Sequence, residues 1–194
     1  RSTLFPYTTL FRSALAVRND IGDATTFWLL ANSKVLQPSD WKQVSSFLTP
    51  AAVEDLTSSC GPLAEPGQPL PTGSEAGTAC ADAILSAYSE GTTTRGEKAF
   101  DGFNARRIEP QYAFAAQLQA GYTDEEVIGF ASQAREQNLA AAEGTTQRIG
   151  SKDVTGWVRY YDQITDLIRT LKENGFDVRI ISASAEPKIG RAHV

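Results

Sequence analysis

The chain has 194 residues, of which 18 are Lys or Arg and 23 are Asp or Glu, for a formal net charge of −5; 41% are hydrophobic and 9% aromatic. This is enough apolar material for a packed core in one or two domains, yet no apolar run reaches the roughly 20 residues of a bilayer-spanning helix, and the acidic balance argues against nucleic acid as a partner. The only histidine, His193, lies one residue from the C-terminus, which nearly excludes zinc sites, Ser-His-Asp triads and histidine general bases.

Residues 1–13, RSTLFPYTTLFRS, and residues 188–194, KIGRAHV, are similar to in-frame translations of short-read sequencing adapters. The native fold is therefore expected within residues 14–187, a window more acidic than the whole chain and without histidine. Within it, residues 23–35 (DATTFWLLANSKV) predict a helix with Asp23 as its N-cap and Phe27, Leu30 and Ala31 on its apolar band. Ser39 is placed to cap a short helix through Phe47. Thr49-Pro50 is a restart, a capping hydroxyl followed by proline at the first helical position. Residues 61–77, rich in proline and glycine, read as a loop.

A helix is predicted from Thr78 to Ser89 with Ala79, Ala83, Leu85 and Tyr88 toward the core, then a break over Gly91–Gly96. Glu109 to Gln119 reads as helical. Thr123-Asp-Glu-Glu126 is a capping box opening a helix to about Glu143. Residues 144–155 are polar and predict a turn with at most a short extended piece. Trp157, Tyr160, Tyr161, Ile164, Leu167, Ile168 and Leu171 recur at three- and four-residue steps, one wide apolar helical face. Asn174-Gly175 stops it, and residues 176–181 (FDVRII) form the most legible strand, closing on Ser182-Ala183-Ser184. Helix, glycine, strand and small polar turn describe half of a parallel α/β unit. A lone strand is not stable in water, so its sheet neighbours are expected elsewhere.

Two readings of the Ser182-Ala183-Ser184 turn stand side by side. Beyond a strand's carboxyl end, small residues let backbone amides converge on an anion, and a serine hydroxyl adds a donor. The same residues also make an ordinary turn in which Ser caps the next helix. Asn19, Asp20 and Asp23 are candidates for helix capping or, on the family resemblance described next, for contacting a cationic substrate. Phe27, Trp28 and Trp41 are candidates for an aromatic box around a quaternary ammonium, or for core. Arg106-Arg107 is either a grip for an anionic tail or a solvated pair. Cys60 and Cys80 bracket the Pro/Gly-rich loop; their even number and the lack of metal partners favour a disulfide and hence export, extracellular or periplasmic, against two free thiols.

The segment WVRYYDQITDLIRTLKENGFDVRIISASAEP resembles the second conserved region of the haloacid dehalogenase-like (HAD) phosphohydrolases, in their phosphoserine- and phosphorylcholine-phosphatase-like branches. RNDIGDATTFWLL resembles the stretch that leads from that family's first motif, DxDx[TV], into an inserted helical cap. The resemblance implies an α/β fold. Residues 14–151 would be a mostly α-helical cap with its lead-in segment, and residues 152–187 the helix and strand of a Rossmann-like core. It assigns Ser182 to the transferred phosphoryl group, with Ala183 and Ser184 contributing to the same turn. It implies a magnesium-dependent monoesterase acting through an aspartyl-phosphate on a small phosphorylated metabolite. No DxD occurs in the chain; the nucleophile is expected upstream, the magnesium ligands lie outside the chain, and the chain as written is expected to be inactive. The contrasting expectation is an exported helical binding domain without chemistry.

Overall fold

The computed structural model describes residues 17–104 and 108–178. The adapter-like ends, Arg106-Arg107 and the Ser182-Ala183-Ser184 turn lie outside them. Among the described residues the architecture is mixed α/β, with seven α-helices and two small antiparallel two-stranded sheets.

Strand β1 (Val17–Arg18) leads through Asn19 into helix α1 (Ile21–Ala31). Asp20, rather than Asp23, caps this helix. Asn19 turns the backbone at φ 65°, which leaves Asp20 extended with its carboxylate accepting from Gly22 N at 2.5 Å. Asp23 then falls inside the first helical turn. Nearly the whole of α1 is buried, Leu29 and Leu30 completely, because α6 packs along it and the loop of residues 61–77 covers its end.

Helix α2 (Trp41–Val44) is shorter than predicted and capped by Asp40, whose carboxylate accepts from Lys42 N at 2.8 Å; Ser39 does not cap it. Helix α3 (Pro50–Cys60) begins as its sequence dictates, with Thr49 Oγ1 accepting from Ala52 N. The same hydroxyl donates to Lys98 O at 2.8 Å, fastening the helix start to a distant loop. Helix α4 (Thr78–Leu85) runs on as a π-turn over Ser86–Glu90 and ends at Gly91, φ 69°. Ala79 is exposed, a correction to its expected core position; Cys80, Ala81, Ile84 and Leu85 bury the face instead.

The loop of residues 61–77 has only two short 3-10 turns, yet it is built into the core. Leu70 is fully buried, its N–H donates to Val35 O at 2.8 Å, and Thr72 Oγ1 donates to Leu30 O at 2.7 Å. Cys60 and Cys80 form a disulfide at the loop's base.

Helix α5 (Pro110–Gln117) precedes α6 (Asp124–Ala140), which opens with the full reciprocal capping box of Thr123 and Glu126. Strands β2 (Thr146–Ile149) and β3 (Lys152–Thr155) then form a hairpin where the sequence predicts a turn with at most a short extended piece. Polar side chains conceal it: of the two strands only Ile149 is fully buried, and the hairpin tip is held by Asp82, which accepts from Ser151 N at 2.7 Å.

Strand β4 (Arg159–Tyr160) pairs antiparallel with β1, Val17 opposite Tyr160 and Arg18 opposite Arg159. Trp157 and Tyr160 are therefore not on the predicted helix. Val158 N is drawn to Asn138 O at 3.1 Å and the next two residues to β1, so α7 starts only at Asp162 and runs Asp162–Glu173. Gly175 ends it at φ 78°. Residues 176–178 carry no regular structure, and the rest of the predicted strand lies outside the described residues.

The core has two parts. A large cluster joins α1, α3, α4, α5 and α6, with Trp41, Leu48, Leu70 and Phe100 between them. A small one holds Val17, Ile21, Ala24 and Val158 with Tyr160 against them. Helix α7 belongs to neither: none of its residues is fully buried, and Leu167 is 51% exposed despite its apolar stripe.

Candidate functional site

The candidate residues gather where β1 passes into α1. Asn19, Asp20 and Asp23 follow a strand's carboxyl end and line a helix N-terminus, where amide dipoles favour negative charge. Asn19 Nδ2 donates to Trp157 O at 2.9 Å, which ties this turn to the strand that precedes α7. Asp23 accepts from the hydroxyl of Tyr88, carried by the π-turn after α4. Burial pushes the Tyr88 hydroxyl far above its ordinary pKa, and the charge of Asp23, its hydrogen bond and the charge of Asp20 add to the effect. Tyr88 is thus a neutral donor holding a carboxylate in place. Sequence reasoning assigned it to the core alone, because its partner lies 65 residues away.

The aromatic candidates are core residues. Phe27 meets Tyr88 edge-on at 6.4 Å, Trp28 stacks on Phe130 at 5.6 Å, and Trp41 is fully buried. Trp28 fills space between α1 and α6, and with Phe27 and Trp41 it packs as interior, not as a cation box.

A second group stands beside the turn. Arg18 and Arg159 face each other across the β1–β4 ribbon, both guanidiniums lie over the Trp157 ring, and Glu143 reaches both. Nothing local in the sequence signals this cluster: Arg18 and Glu143 are 125 residues apart, and only the folding of α6 against α1 joins them.

Among the described residues no group of three or more His, Cys, Asp or Glu is arranged to hold a metal ion. Among the described residues, no helix is long and apolar enough to cross a membrane. Comparison with protein-family models, curated proteins and solved structures finds no match for this chain.

Proposed function

We propose that the chain is the helical cap and adjoining core segment of a HAD-type phosphomonoester hydrolase acting on a small phosphorylated metabolite. One observation carries the reading. The helical body is entered and left at a single place, because Val17–Arg18 pairs with Arg159–Tyr160 and Asn19 bonds Trp157 O. An inserted domain requires its two connections to be neighbours, since the host sheet must stay intact around it. The apolar stripe of α7 supports the same reading: among the described residues none of it is fully buried and Leu167 is 51% exposed, while a helix that amphipathic buries its stripe against a sheet or another helix.

In this account an aspartate upstream attacks phosphorus and the alcohol leaves, giving an aspartyl-phosphate that water then hydrolyses. A carboxylate at the strand end passes the proton to the leaving oxygen and later takes one from the attacking water. Ser182 donates its hydroxyl to a phosphoryl oxygen, with the turn's backbone amides alongside. The Cys60–Cys80 bridge supports an oxidising compartment, periplasmic or extracellular.

The test uses the uninterrupted reading frame taken from source DNA across both ends. It is expected to encode a strand and DxDx[TV] shortly before Ala14, and its product to release phosphate from phosphomonoesters in the presence of magnesium. A plain linker or another helix at that place, with no phosphate release, overturns the proposal.

A further inference from the structure

The arginine pair on the ribbon is arranged in a way that strand pairing alone does not explain. Like charges directly opposite on an antiparallel ladder are destabilising, yet Arg18 and Arg159 are register partners. What partly offsets their repulsion is one carboxylate between them: Glu143 Oε2 lies 3.2 Å from Arg18 Nη1, and Oε1 lies 3.9 Å from Arg159 Nε. Arg159 is fixed in advance. Its guanidinium donates to the carbonyls of Leu139 at 3.1 Å and Val158 at 2.7 Å, and to that of Ala141. Both guanidinium carbons also lie over the Trp157 ring, at 4.9 Å and 5.8 Å from its centroid.

We propose that the Arg18–Arg159 fork is a binding site for a phosphoryl group and that Glu143 is its built-in occupant, displaced when the ligand binds. Guanidinium forks match the geometry of phosphate and carboxylate oxygens. A single carboxylate opposite two guanidiniums leaves one positive charge uncompensated in a chain whose net charge is −5, and a phosphate dianion matches both. Displacement is cheap: the Arg18 and Glu143 side chains are 57% and 54% exposed, and ion pairs so open to water contribute little. The site does not depend on the hydrolase reading, because it predicts binding without turnover.

Titration calorimetry of the 194-residue chain with inorganic phosphate at low ionic strength tests it. The unaltered chain binds phosphate saturably. Glu143→Gln tightens binding by up to about fivefold, with Glu143→Ala as a second variant that removes the occupant. Arg18→Gln abolishes binding while circular dichroism stays unchanged. Absence of phosphate binding in both Glu143 variants, or equal affinity after Arg18→Gln, overturns the proposal. Acetate binding as tightly as phosphate overturns the assignment to a phosphoryl group.

Discussion

At Tyr88, burial together with the neighbouring Asp23 sets the pH response, and the hydrogen bond between them sets the geometry. The folded-state pKa of Tyr88 is raised above its unfolded value, so the folded chain holds a proton that the unfolded chain releases near pH 10. The stabilisation is fully present below about pH 10 and declines as pH rises beyond it. Urea denaturation between pH 8 and 11 is expected to show that alkaline loss, and Tyr88→Phe to flatten it. Glu126 has the opposite sign. Backbone and side-chain hydrogen bonds from Thr123 hold its carboxyl below the ordinary range, so its contribution is present at neutral pH and lost as pH falls through the folded value. At Thr49 the hydroxyl both caps α3 and reaches Lys98 O. Thr49→Ala is expected to cost about 1–2 kcal/mol, read as a lower urea midpoint with unchanged slope. Thr49 and the Thr123–Glu126 box were legible in the sequence because a cap is settled within four residues. The cap of α1 was misassigned to Asp23 because the left-handed turn at Asn19 has no strong sequence signal.

At the scale of elements, helices announced by start and stop residues were readable, and those shaped by partners were not. The stretch beginning at Trp157 has helical periodicity throughout, but its first residues are claimed by α6 and β1, and periodicity carries no information about such competition. The β2–β3 hairpin escaped for a different reason: its burial alternates, but polar Gln147 and Lys152 share the inner face with Ile149 and Val154, so the sequence shows no apolar alternation. The loop between the cysteines was correctly read as irregular, while its burial was not, because Leu70 and Thr72 find their partners across more than 30 residues. Replacing both cysteines by serine is expected to remove about 3 kcal/mol by the loop-entropy account, since 20 residues separate them. Thermal denaturation of the double variant measures it. Two leucines separate core from uncovered face. Leu30→Ala, in a fully buried site, is expected to cost about 2–5 kcal/mol, whereas Leu167→Glu on α7 stays within about 0.5 kcal/mol.

For the whole molecule, the decisive feature is that the chain leaves and rejoins one short ribbon around a helical body with its own core. Residues 17–24 converge with residues 157–160, and this is the geometry from which the proposed insertion is argued. The two halves of the candidate site were unequally legible. Asn19, Asp20 and Asp23 stand out in the sequence as polar residues ahead of an apolar helix, and the resemblance singles them out as candidates. The Arg18–Glu143–Arg159 group was invisible because it exists only once α6 has folded against α1. The most direct measurement is steady-state release of phosphate from a phosphomonoester, with and without magnesium, by the product of the uninterrupted reading frame and by its Ser182→Ala variant. The account predicts magnesium-dependent turnover that falls roughly 10- to 100-fold in the variant, the worth of one hydrogen bond to a charged group. No turnover in the unaltered product, or equal turnover in both proteins, would contradict it.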